Sequence, residues 1–214
     1  VYGITTGFGK LADVSISEED SRQLQKNLIM SHSCGVGEPF PEEIVRAMML
    51  LRLNALSVGN SGISQNTFQT LLAALNKGVV PVIPCKGSLG ASGDLAPLSH
   101  MVLTIIGEGE AFYQGVRMPS AEALKKAGIT PCELTSKEGL ALNNGTQAMN
   151  SIATLAVNDA AILSKTADIA AALSLEALQG IISAFDPRIQ EVRHQPGQKK
   201  VAQNVRTILD GSKN

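Results

Sequence analysis

The sequence predicts a mainly α-helical fold: an N-terminal helical domain that carries a glycine-rich loop, then the start of a long helical bundle, with one short β-hairpin. Three observations carry this. Apolar residues recur at helical spacing in successive segments, most of them opened by a capping residue and closed by Gly or Pro. One alanine-rich stretch, Thr146 to Gln179, would span about 50 Å as a single helix. Only residues 107–119 alternate and turn as paired strands do. The domain boundary falls between residues 1–145 and 146–214.

Taken in order, Ser17 and Asp20 form a capping-box pattern that opens a helix from Ile16 to Met30, with Leu24, Leu28 and Ile29 on one face. Gly35, Gly37 and Pro39 stop it. His32 is left at its C-terminus, where the macrodipole favours a protonated imidazole. The next helix, Glu42 to Val58, carries Ile44, Met48, Leu51 and Leu56 as its buried stripe, and Gly59–Gly62 is a turn. Gln65 to Asn76 repeats the pattern with Phe68, Leu71, Leu72 and Leu75, closed by Gly78. The apolar run Val79–Pro84 anchors the start of the glycine-rich loop. Behind the loop a helix runs from Leu95 to about Ile106, capped by Ser92 or Asp94 with Pro97 in its first turn; His100 on it reads as a satisfied core or interface histidine.

A turn at Gln114-Gly115 joins the two hairpin strands. Ser120 caps a short helix to Ala127, ended by Gly128. In the long helix Asp159, Lys165, Asp168 and Glu176 interrupt the apolar surface too often for a membrane span, so burial between other helices is expected. Asp186-Pro187 starts a short helix, and Gly197 separates it from a last basic one near Leu209. The end, Gly211 to Asn214, is expected to fray.

Composition excludes several partners. A net charge of −1 with 17% charged residues offers nothing to nucleic acid or an anionic membrane. Aromatics are 3% with no Trp, which leaves few platforms for stacking bases. Cys34, Cys85 and Cys132 are far apart and lack metal-ligand spacing, as expected of reduced, mostly buried thiols in a cytoplasmic protein that needs no metal.

The stretch Pro84–His100, PCKGSLGASGDLAPLSH, admits three readings. It is a loop that caps a helix, a phosphate cradle, or a chemical device. The cradle is disfavoured, because neither G-x-G-x-x-G nor a terminal G-K-[ST] is present. In the chemical reading, the Gly93 nitrogen attacks the Ala91 carbonyl across residues with no bulky side chain. Loss of water from that cyclisation and a second dehydration at Ser92 leave a five-membered ring with an exocyclic methylene, an electrophile that ordinary side chains do not supply.

The block GSLGASGDLAPLSH resembles the loop of the aromatic amino-acid ammonia-lyases and aminomutases, which form 4-methylidene-imidazol-5-one (MIO) autocatalytically from Ala-Ser-Gly. VYGITTGFGKLA resembles that family's Tyr-Gly-x-x-Thr-Gly-Phe-Gly loop, and Leu142-Asn143-Asn144-Gly145-Thr146 its Leu-x-Asn-Gly-Thr block, with Asn143 where relatives often carry an apolar residue. The resemblance covers essentially the whole chain, about half the usual length of a member, and the chain opens on Val1 inside a motif; it reads as an N-terminal half. It implies Ala91, Ser92, Gly93, Tyr2 and Asn144 as catalytic residues: the first three make MIO, Tyr2 moves the β-proton, and Asn144 holds the ring. An ordinary phenol titrates at about 10, so Tyr2 as a base near neutrality would need roughly 4 kcal/mol from its surroundings. Ser31-His32 occupies the substrate-side pair, which the resemblance ties to L-histidine, ammonia and urocanate, with no metal or external cofactor. A homotetramer is implied, with further groups, one of them acidic, coming from neighbouring subunits. A sister enzyme on phenylalanine or tyrosine, or an aminomutase, stays open. So does a reading of a different class, in which this chain alone is an inert folded assembly piece.

Overall fold

The computed structural model describes residues 1–212; Lys213 and Asn214 of the end expected to fray lie outside the described residues. Val1–Ala153 and Thr154–Asn214 form two compact units.

In the first unit, a 3₁₀ turn at Gly9–Leu11 precedes α1 (Glu18–His32), whose Ser17 hydroxyl accepts a bond from the Asp20 nitrogen as the capping pattern predicts. β1 (Val36–Pro39) follows, then α2 (Glu42–Leu56) and α3 (Gln65–Lys77). The Ser64 hydroxyl caps α3, and Gly78 ends it in the left-handed conformation, φ 71°. β2 (Val79–Pro81) and β3 (Pro84–Lys86) lead into the glycine-rich loop, and α4 (Leu95–Ile105) leaves it. β4 (Glu110–Tyr113), β5 (Val116–Pro119), α5 (Ser120–Lys126), α6 (Glu138–Asn143) and the start of α7 (Gln147–Ala177) complete the unit.

The hairpin β4–β5 forms at the expected turn, with Tyr113 opposite Val116. It does not stand alone. β2 pairs antiparallel with β4 (Val80 opposite Phe112), and β1 pairs antiparallel with β3 through an irregular register. These strands have three or four residues each, too short for a period to show in sequence. Their pairing matters to the site, because β1–β3 ties the end of α1 to the start of the glycine-rich loop. The core gathers Ile29, Met48, Met49, Leu71, Val79, Ile83, Leu98, Met101, Ile105 and Leu124, all fully buried.

Some local expectations change. On α2 the buried stripe is Val45, Met48, Met49, Arg52, Leu53 and Leu56, so Ile44 and Leu51 lie at its margins and a cation sits inside it. Ser120 is the first residue of α5 rather than its cap; its hydroxyl bonds Thr104 Oγ1 at 3.3 Å. Only Cys132 among the thiols is buried, and burial pushes its pKa up to about 11; Cys34, just before β1, and Cys85, in β3, are exposed where burial was expected.

The second unit contains the rest of α7, a 3₁₀ turn (Ile182–Phe185), α8 (Pro187–Arg193) and α9 (Pro196–Ile208). Asp186 caps α8 by accepting from the Arg188 nitrogen, as its position before Pro187 predicts. The break before α9 lies at His194, φ 52°, and Gly197 falls inside the helix instead. Ala172, Ala202 and Val205 are buried here, and Asn204 donates to Asp168 Oδ2 at 2.7 Å. Most of α7's apolar side chains are exposed, Val157 and Leu163 by more than two thirds, where burial was expected. Three short helical segments cannot cover a stripe that runs all round a helix this long. Among the described residues no helix is long and apolar enough to cross a membrane.

Candidate active site

The glycine-rich loop folds back on itself, with isolated bridges linking Gly93 to Gly90 and to Ala91. This needs backbone torsions that side chains disfavour: Gly90 has φ 79° and Gly93 φ 89°. Gly93 also has no room for a Cβ, which would lie 2.8 Å from the Gly145 nitrogen and closer still to the Gly145 carbonyl oxygen. The backbone of 91–93 is therefore drawn into a tight turn and pressed against the loop before α7.

That second loop is held from three sides. The Asp94 nitrogen donates to the Gly145 carbonyl at 2.6 Å. The Asp94 carboxylate, 2% exposed, accepts from Met149 N at 2.8 Å and from the Ser88 hydroxyl at 3.0 Å. It thus caps the first turn of α7 rather than α4, in which its side chain makes no capping bond. Ser92 caps neither helix. Arg52, 4% exposed, donates to the carbonyl oxygens of Ala141 and Asn144 and to Gln147 Oε1. Burial without a carboxylate among these partners lowers its pKa to about 10.

The result is that the Asn144 amide nitrogen donates to Ser92 Oγ at 3.3 Å, and these two expected residues meet. Asn143 is fully buried and donates to Ser99 Oγ at 3.2 Å, which is what its polar side chain does in place of an apolar residue.

On the other side, a cavity of about 290 Å³ is lined by His32, Cys34, Leu89, Ala91, Ser92 and Gly93, among others. His32 is the last residue of α1. Its Nδ1 lies 2.8 Å from the Leu28 carbonyl oxygen, which only accepts, so Nδ1 carries a proton. In the neutral imidazole this leaves Nε2 as the acceptor. Ser31 Oγ lies 3.1 Å from the same Nδ1 and donates to Leu28 O, which restrains the ring further.

Tyr2 stands apart from these contacts. Its ring meets Phe8 edge-on at 5.7 Å, its hydroxyl accepts from Gly9 N at 3.3 Å, and it is 45% exposed. It does not line the cavity. Of the expected site residues, then, His32, Ala91, Ser92, Gly93 and Asn144 gather around one loop; Ser31 touches His32 without lining the cavity, and Tyr2 does not join them. Among the described residues no three His, Cys, Asp or Glu side chains gather where they could hold a metal ion.

Arg52 escaped sequence reading although a signal existed. It lies four residues after Met48 and four before Leu56, a charge on a stripe position, which marks a cation with buried partners. For Asp94 no local signal existed, since its partner Met149 is remote in sequence.

Known proteins resemble this chain over nearly all of its length. A histidine ammonia-lyase of Alkaliphilus oremlandii is 63% identical over 212 residues, covering 99% of this chain and 42% of the relative. The crystal structure of histidine ammonia-lyase from Trypanosoma cruzi superposes with a TM-score of 0.89 at 43% identity, over 96% of this chain and 40% of that one. A phenylalanine aminomutase of Pantoea agglomerans gives a TM-score of 0.93 at 41% identity, over 100% and 41%. The chain thus spans about two fifths of the length of the relatives it matches. The aromatic amino acid lyase family matches residues 1–214, and with the Ala91-Ser92-Gly93 turn and Asn144 in contact, the chain belongs to that family.

Proposed function

We propose that this chain carries the electrophile-bearing part of a histidine ammonia-lyase, which releases ammonia from L-histidine without oxidation to give urocanate. In that reaction the Cα–N bond and one Cβ–H bond break and a carbon–carbon double bond forms. The observation that carries the reading is His32: an imidazole fixed by the Leu28 carbonyl, facing the same cavity as Ala91, Ser92 and Gly93. Such a ring can exchange a directed hydrogen bond with a substrate imidazole, and losing one at a polar site discriminates strongly between substrates. The high identity to histidine ammonia-lyases supports the same choice.

The residues fit an MIO group. Its precursor turn is already tight, and the space at Gly93 excludes a side chain. Ala91, Ser92 and Gly93 would hold the group within their own backbone, and once formed it would supply an electrophile toward the substrate amine, which makes that amine a better leaving group. Asn144 reaches the precursor turn at Ser92 Oγ; that oxygen leaves with the second water, and the same amide would then bond the ring carbonyl and stabilise negative charge developing on it. Tyr2 takes the β-proton, and His32 with Ser31 orients the imidazole. Tyr2 lies outside the present contacts, so this role requires its 1–16 segment to move or further chain to complete the site. A homotetramer in the cytoplasm belongs to the same reading, supported by the exposed apolar side of α7 and by the free thiols.

Steady-state assays of the full-length protein on histidine, tyrosine and phenylalanine test the proposal, with β-amino acids followed alongside ammonia. Histidine is expected as the best substrate, with urocanate as product; histidine as the poorest of the three, or a β-amino acid as main product, overturns it. Intact mass tests the group separately, with two waters expected to be lost from the chain.

A further inference from the structure

The proposed reaction uses neither His100 nor His194, and of the two it is His100 that belongs to the unit holding the site. Its surroundings show what it holds. After α1 ends, the Ser33 nitrogen bonds the Ile29 carbonyl and the Cys34 nitrogen bonds the His32 carbonyl, both within the turn. Gly35 N is the first to bond elsewhere: it donates to His100 Nε2 at 3.0 Å. An amide nitrogen only donates, so Nε2 accepts, and the imidazole is the neutral Nδ1–H form. Burial lowers the pKa of this histidine and favours that neutral form.

The packing leaves no slack. A Cβ on Gly35 would lie 3.0 Å from His100 Nε2 and 3.2 Å from Pro84 Cβ. A Cβ on Gly87 would lie 2.9 Å from Gly35 Cα. Gly35 is therefore clamped between the imidazole on α4 and the backbone at which the glycine-rich loop begins. His32 and Cys34, just before it, form one wall of the cavity; Gly87, the 91–93 turn, Leu95 and Ala96 form the other.

We propose that His100 is a positioning residue: by accepting the Gly35 N–H it fixes the substrate-side turn at 31–35 relative to the electrophile turn at 91–93. It touches no substrate and acts through Gly35 on His32. This rests on the lyase reading for its kinetic consequence but not for its structural one.

Two polar variants of the full-length protein separate the possibilities. Glutamine places its Oε1 near the position of Nε2, whereas the Asn oxygen in His100→Asn stops one bond short and cannot reach Gly35. Amide hydrogen exchange over residues 31–37 and steady-state kinetics on L-histidine are read for both. For His100→Asn, exchange at Gly35 is expected to rise roughly tenfold or more, with KM for L-histidine raised severalfold and kcat changed less. His100→Gln is expected to stay within about threefold of wild type on both. Equal behaviour of the two variants, or no change in exchange in His100→Asn, overturns the proposal. Faster exchange with unchanged KM also overturns it, because His100 would then serve stability only. If the wild-type protein does not act on histidine, the lyase reading fails, and the exchange result still decides whether His100 holds the turn.

Discussion

Asn144 and Tyr2 are assigned neighbouring tasks in one reaction, yet opposite kinds of structure hold them. The segment around Asn144 is bound to the rest of its unit by Arg52 on α2, by Asp94 beside the electrophile turn and, further back, by Glu138, which is fully buried. Tyr2 belongs to a segment whose hydrogen bonds, among the described residues, run within 1–16. Gly7 N donates to Val14 O, Ile16 N to Thr5 O and Gly3 N to Thr6 Oγ1, while Val1, Tyr2 and Ile4 stay exposed. The contrast teaches that the turn at 91–93 is part of its unit's buried hydrogen-bond network, so its geometry is set when the unit folds. The residue proposed to take the β-proton sits on a surface segment whose hydrogen bonds run within residues 1–16. Substitutions near Asn144 should cost the fold first, and substitutions at Tyr2 should cost the chemistry alone.

The largest stability effect is expected at Gly93→Ala. The new methyl group meets the Gly145 backbone, which cannot swing away as a side chain would, and a residue with a side chain must hold φ 89°. Overpacking and left-handed strain together should remove at least about 3 kcal/mol, read as a lower midpoint in denaturant unfolding. A midpoint equal to wild type would show that the electrophile turn is not tied to the core, and the contrast with Tyr2 would collapse.

A smaller loss is expected at Glu138→Gln, and it carries a pH signature. Burial pushes the Glu138 carboxyl up, but bonds from Thr135 and Ser64 more than offset this and leave it below the usual carboxylate range. Because the folded pKa is the lower one, the stabilisation is full above the unfolded value of about 4.3 and is lost as pH falls through the folded value. Glutamine loses the charge-assisted bonds, so the variant should be less stable by roughly 1.5–3 kcal/mol at pH 7. The gap to wild type should narrow steadily as unfolding is repeated below about pH 4. A gap that stays constant with pH would mean that the carboxylate charge does not hold this segment.

How much of this was legible in the sequence follows the same division. Signals contained in a few adjacent residues were readable: Ser17 with Asp20, Gly78 after α3, the Gln114-Gly115 turn, and Asp186 before Pro187. The Ala91-Ser92-Gly93 turn was readable too, because its demand for small residues is local. Relations between distant segments were not. Asp94 has the composition of a cap for the helix that follows it, and only the approach of residues 145–149 redirects its carboxylate to Met149. His100 has the look of a core histidine until Gly35 is brought to its Nε2. The long helix α7 was read correctly as apolar all round, but periodicity says nothing about what will cover it.

The smallest stability effect is expected at Tyr2→Phe, and it is the sharpest test of the contrast. The substitution removes one hydroxyl that accepts a 3.3 Å bond from Gly9 at an exposed position and keeps the ring that packs edge-on against Phe8. A change within about 0.5 kcal/mol is expected for such a site. Loss of the two waters should be unaffected in the intact mass, since nothing at Tyr2 touches the turn at 91–93. Turnover of L-histidine by the full-length protein, in contrast, should fall roughly 10²–10⁴-fold if the phenol carries the β-proton. Near-wild-type turnover would remove Tyr2 from the reaction. A fall in stability comparable to that of Gly93→Ala would show that the 1–16 segment is bound into the core after all. Only the combination of an intact fold, an intact mass loss and a crippled reaction is what a catalytic residue on a surface segment bonded within itself must give, because the Asn144 side cannot be disturbed without the structure registering it.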